Sequence, residues 1–220
     1  MPPVVLASLS FVTLTAAVWY LLCARMARKR SLSIVSWLSA TIGGPDSAPW
    51  HWTSASDFDI HLQCPEAGIY RNCRVHVRLC PRQLWHSWLR WNHRKEEETL
   101  TLTADLEQPP RADFDLCTIR YVAKTRHIDQ SSADGWQIHR VQPIVLATRR
   151  DWQQDVAALA SAVCEMHPKC LINLRLAKTS PHFSVTIPLS AIAPTCEQRF
   201  ELFGAIRAIA ATASLHGQKF

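Results

Sequence analysis

The chain has 220 residues, 48% of them hydrophobic and 19% charged, with a formal net charge of +6. That balance allows one ordinary domain plus an extra segment, and it excludes a long disordered or low-complexity protein. The excess of base is local: Arg25, Arg28, Lys29 and Arg30 occur without an acid in the first 30 residues, leaving 20 basic against 18 acidic groups elsewhere. Charge so placed disfavours a nucleic-acid partner, which calls for a basic domain surface.

The first element runs from Val4 to Cys23, VVLASLSFVTLTAAVWYLLC, and carries no charge. A helix of that length reaches about 30 Å, the thickness of the hydrocarbon layer of a bilayer. Trp19 and Tyr20 fall where an interfacial aromatic belt belongs, and Arg25, Arg28, Lys29 and Arg30 come next as a positive flank. A cleaved signal would carry its charge before the apolar core and a small-residue site after it, the reverse of this order. Residues 1–30 are therefore read as a retained single-pass anchor in membrane lipid. The positive flank resists translocation and assigns residues 31–220 to the cytoplasmic side. Eight cysteines without a CxxC pair agree with a reducing compartment.

Residues 31–56 read as a connector. Leu32, Val35, Trp37 and Leu38 have the spacing of a short amphipathic helix lying on lipid headgroups, and Gly43-Gly44-Pro45-Asp46 ends it. Trp50-His51-Trp52 is expected on the domain or at the lipid surface.

Residues 57–220 read as a soluble α+β domain, beginning with a mainly antiparallel region. Phe58, Ile60 and Leu62 alternate with polar neighbours, as do Val75, Val77 and Leu79, the period of two that marks a half-buried strand. Thr99–Leu106, Phe114–Ala123 and Trp136–Ala147 complete about five strands in a meander, with Pro143 at an edge or bulge. A helix–hairpin–helix unit completes the chain. Trp152, Val156, Leu159 and Val163 keep helical spacing. Ile172 to Leu176 and Phe183 to Ile187 alternate around Thr179-Ser180-Pro181, and Leu202, Ile206, Ile209 and Ala213 form a second helical stripe.

Residues 71–95 combine Arg71, Arg74, Arg78, Arg82, Arg90, Arg94 and Lys95 with three tryptophans and no acid. On a helix Trp85, Trp88 and Leu89 share a face, while Arg82 and Arg90 fall elsewhere. Indoles beside bases suit an anionic membrane surface, so Trp85, Trp88, Arg82 and Arg90 join Trp19 and Tyr20 as interface residues. The competing readings are packing of the indoles on the domain and single-stranded nucleic-acid binding.

Two Asp-Phe-Asp segments open strand-like runs. If those strands paired, Asp57, Asp59, Asp113 and Asp115 would form a carboxylate cluster for a hard cation or for acid–base work. Alternation alone also accounts for them, by exposing the aspartates and burying Phe58 and Phe114. The trios Cys73, His76, Cys80 and Cys164, His167, Cys170 are poor zinc sites, because Cys73 and His76 would face opposite sides of a strand. No nucleophile elbow, phosphate loop or dinucleotide fingerprint occurs, so no cofactor or metal is expected. These residues point to a membrane-anchored, cytoplasmic-facing α+β domain that binds or scaffolds, with a protein partner open. The second reading is a membrane-bound hydrolase using the four carboxylates.

Overall fold

The computed structural model describes residues 3–42, 50–54, 56–62, 70–110, 113–118, 136–141, 144–149 and 171–192, together with Gly204, Ile206 and Ala208. One helix, α1 (Pro3–Ile42), precedes β1 (Trp50–Trp52), β2 (Asp57–Leu62) and β3 (Tyr70–Arg78). A second helix, α2 (Trp85–Arg94), leads into β4 (Thr99–Leu106). Then come β5 (Phe114–Thr118), β6 (Trp136–Val141), β7 (Ile144–Arg149), β8 (Asn173–Leu176) and β9 (Phe183–Pro188). The α+β class is as expected.

The nine strands among the described residues lie in one antiparallel sheet in the order β1-β2-β3-β4-β9-β8-β5-β7-β6. Of the expected meander of about five strands, β2, β3 and β4 follow one another in order, with β1 added at the edge. The second half does not continue it, because the β8–β9 hairpin inserts between β4 and β5. Trp136–Ala147 is two strands rather than one. They flank Gln142-Pro143, and proline offers no N–H to extend a ladder. Trp50–Trp52 is an edge strand on the domain, with Trp50 and Trp52 packed at 5.9 and 5.4 Å from the Phe58 ring. The β8–β9 hairpin stands where its alternation put it. The two helices expected around it, and Pro143, lie outside the described residues, apart from Gly204, Ile206 and Ala208, which are helical.

Register puts the apolar residues on one face: Ile60, Val75, Leu102, Val185, Leu174 and Leu116 succeed one another across six strands. All six are buried, as are Phe58 and Phe183. The other face is polar, with Thr101 and Thr186 hydroxyls 3.1 Å apart on neighbouring strands.

The cover on the apolar face includes α1. Its buried positions are Cys23, Ser31, Ile34, Val35 and Leu38, a stripe at helical spacing, and Ile34, Val35 and Leu38 belong to the sheet core. The expected separate helix on the headgroups is therefore corrected. Of its expected apolar residues, Val35 and Leu38 are buried in the sheet core and Trp37 packs against it, whereas Leu32 is exposed. No break in the helix separates these residues from the apolar N-terminal run. Before Cys23 the helix leaves the domain with apolar side chains in the open, among them Leu9, Phe11 and Leu14.

Candidate membrane-facing site

α1 is long and apolar enough to cross a membrane. Its exposed half is apolar all round, which in water has no driving force to persist and in lipid has one. Ser8, Thr13 and Thr15 turn their hydroxyls back onto carbonyls of the preceding turn, as Ser8 Oγ does onto Val4 O at 2.6 Å. Their polarity is thus satisfied within the helix, as a hydrocarbon setting requires.

At the end of this half the domain reaches up alongside α1. The Trp19 Nε1–H donates to the carbonyl oxygen of Arg82 at 3.1 Å, and Arg30 forms an ion pair with Glu98 at 2.6 Å. These two ties are eleven residues apart on α1, about 16 Å of helix, and α2 lies in the chain between them. Arg82 is set at the level of the aromatic belt, so α2 begins where the apolar run ends.

α2 forms because its residues sort onto separate faces. Trp91 is buried and takes the guanidinium of Arg78 over its ring at 4.8 Å, fixing the helix to β3. Trp85, Trp88 and Leu89 occupy another face and are 66%, 38% and 42% exposed. With Leu84 they make an apolar surface beside Trp19. His86, Arg90 and His93 occupy a third face and are exposed. The helix stops at Lys95, whose φ of 49° is left-handed, with hydrogen bonds from Lys95 N–H to Asn92 O and Glu96 N–H to Trp91 O. Of the expected interface residues, Trp19 meets Arg82, Trp85, Trp88 and Arg90 follow on α2, and Arg30 is held farther along α1 by Glu98. Tyr20, Arg25, Arg28 and Lys29 are exposed on α1. The packing alternative holds for Trp91 and not for Trp85.

Between α1 and this segment lies a cleft of about 730 Å³, walled by Trp19, Cys23 and Met26 on one side and by Trp88 and Trp91 on the other. The same cleft is lined by Arg82, ahead of α2, and by Lys95 and Glu96 to Glu98, behind it. Glu96 is paired with Arg78 at 2.8 Å, and Glu98 with Arg30. Cys80 also lines it, and burial raises its thiol pKa. Glu98 and Glu96 thus tie α1 and β3 to this corner.

The four aspartates are not brought together. β2 and β5 are five places apart in the sheet, about 24 Å. Each acid has local work instead. Asp57 accepts Ser54 Oγ–H at 2.8 Å in the turn before β2, and Asp59 meets His76 Nδ1 at 2.6 Å across the β2–β3 pair. Asp113 accepts the Lys178 N–H at 2.7 Å. Asp115 faces Arg175 across β5 and β8. Among the described residues no group of three or more His, Cys, Asp or Glu is placed to hold a metal ion. A Ser180–Asp105–His182 cluster has no local signature in the sequence, because β4 and the β8–β9 turn are remote in the chain. Ser180 donates to Asp105 at 2.6 Å while His182 Nδ1 accepts the Leu106 N–H. The serine thus bonds the acid rather than the imidazole, which suits a turn staple and not nucleophile activation. The Ser180 hydroxyl and the Asn72 amide hold the Asp105 pKa below the usual carboxylate range.

Asp115 behaves oppositely. Burial raises its pKa, Arg175 only partly opposing, and its Oδ1 has no hydrogen-bond partner among the described residues. Burial and the Asp115 charge together push the Cys117 thiol up to about 12, so Cys117 stays protonated and is a poor nucleophile. For an acid whose pKa is raised on folding, the ionised form weakens the fold. Stability is greatest below the ordinary carboxylate range and falls as pH rises through it toward the folded value. Asp115→Asn should therefore raise the urea midpoint at neutral pH, and the difference should vanish in acid.

Compared with known protein families and with curated proteins, the chain matches none. Its class is set by architecture: an apolar N-terminal helix continuous with a domain built on one antiparallel sheet.

Proposed function

We propose that the protein is a single-pass membrane protein whose α+β domain is a cytoplasmic binding or scaffold module. α1 and α2 hold it at fixed height on the lipid surface. The observation that carries this reading is the Trp19–Arg82 hydrogen bond, which sets the exposed Trp85, Trp88 and Leu89 beside the end of the apolar run. A bilayer would cover both apolar surfaces at once, and the bases of α1 and α2 would meet anionic headgroups. A protein partner then has the polar sheet face available. The hydrolase alternative needs its carboxylates together, and the strand order keeps the two pairs apart.

The chain should remain with membranes after carbonate washing, and protease added outside intact cells should leave a C-terminal tag uncut. Release into the wash would remove the anchor. Loss of the tag without lysis would reverse the orientation.

A further inference from the structure

We infer that the cleft between α1 and α2 is a binding site for one phospholipid with an anionic, amine-bearing headgroup of the phosphoserine type. The inference rests on α1 spanning the membrane, because the cleft then opens at the interfacial layer.

The occupant is defined by the walls. Trp19, Cys23 and Met26 belong to the stretch of α1 that leaves the hydrocarbon, and Trp88 faces them from α2. An acyl chain running along α1 would continue from the bilayer onto this apolar wall without crossing water. The charged lining supplies the headgroup contacts. Once the pairs Glu96–Arg78 and Glu98–Arg30 are set aside, the charged lining is Arg82, whose side chain also meets the Cys80 thiol, with Lys95 and Glu97. Two cations and one anion are the complement of a phosphate, a carboxylate and an ammonium. Arg82 and Lys95 would take the two negative groups, Arg82 being suited to bidentate contact with either. Glu97 would take the ammonium, and Trp88, which also lines the cleft, offers an indole face to a cation. A phosphoglycerol headgroup has the negative charge but nothing for Glu97, and a phosphocholine headgroup leaves one base unmatched. The cleft volume, about 730 Å³, admits a headgroup and the start of a chain, not a whole diacyl lipid.

The test uses the full chain in phosphatidylcholine nanodiscs doped with phosphatidylserine, phosphatidylglycerol or neither, with native mass spectrometry of the lipids retained. Wild type should keep phosphatidylserine in preference to phosphatidylglycerol, and both over phosphatidylcholine. Arg82→Gln with Lys95→Gln should weaken retention of both anionic lipids, by about fivefold for each charge removed. Glu97→Gln should abolish the preference for serine while leaving phosphatidylglycerol retention intact. All three side chains are exposed, so unchanged melting curves will show that the variants fold. Equal retention of the two anionic lipids by wild type, or a Glu97→Gln protein that still prefers serine, would overturn the assignment. A chain that enters nanodiscs without any lipid preference defeats the cleft alone. A chain that fails to insert defeats the anchor reading beneath it.

Discussion

A fragment beginning at Leu22 should fold, and one beginning at residue 43 should not. The second lacks Ile34, Val35 and Leu38, which are 7%, 8% and 0% exposed in the sheet core. Truncating a buried Leu or Ile to Ala costs about 2–5 kcal/mol. Losing three such side chains therefore approaches the whole stability of an ordinary domain, about 5–15 kcal/mol. Far-UV circular dichroism and urea titration of the two fragments provide the measurement. Within the full chain, Leu38→Asp should leave membrane insertion intact and collapse the domain's urea transition, because a carboxylate would be buried without a partner. A fragment starting at residue 43 with a normal cooperative transition would mean that α1 does not belong to the core.

The three indoles of α2 should divide sharply. Trp85→Ala with Trp88→Ala should leave the urea midpoint of the Leu22 fragment nearly unchanged, since surface changes away from buried features stay within about 0.5 kcal/mol. The same pair should strip most of its binding to anionic vesicles. Fully burying a large apolar side chain contributes about 1.5–3 kcal/mol, and Trp85 and Trp88, 66% and 38% exposed, together offer about one such side chain, so their loss amounts to roughly tenfold to a hundredfold in partition. Trp91→Ala should do the reverse, costing about 3–5 kcal/mol of stability and releasing Arg78 from its ring. Salt should weaken binding of the wild-type fragment, as the basic groups of α2 contribute through screened attraction. Vesicle binding that survives the double change, or a double variant as unstable as Trp91→Ala, would place Trp85 and Trp88 in the domain instead.

The contrast between those tryptophans shows what local pattern carries. The spacing of Trp85, Trp88 and Leu89 is enough to place them on one helical face, because a helix face depends only on neighbours in sequence. The same holds for β2, β3, β4, β8 and β9, whose alternation appears unchanged as burial. Partnerships across the chain leave no such trace. Nothing local tells Val35 and Leu38 whether their stripe meets headgroups or a sheet, and nothing in Thr99–Leu106 says that its next neighbour is β9 rather than β5. Trp19 and Arg82 are 63 residues apart, so the contact that defines the candidate site lies beyond periodicity. The aspartates fail differently: each is spent on a turn, an imidazole, an amide or a facing guanidinium nearby, and a carboxylate in sequence carries no sign of such local use.

The absence of any joint in α1 has a mechanical side. Helices in bilayers adjust to hydrophobic thickness by tilting, on average about 20° from the normal. A flexible linker would absorb that tilt, but here the same rod ends under the sheet. Nine strands at about 4.8 Å spacing make a plate roughly 38 Å wide. A tilt of about 20° would lift one rim of that plate by roughly 13 Å relative to the other. Carried on such a rod, the domain would present its polar face at an angle that depends on how thick the surrounding membrane is.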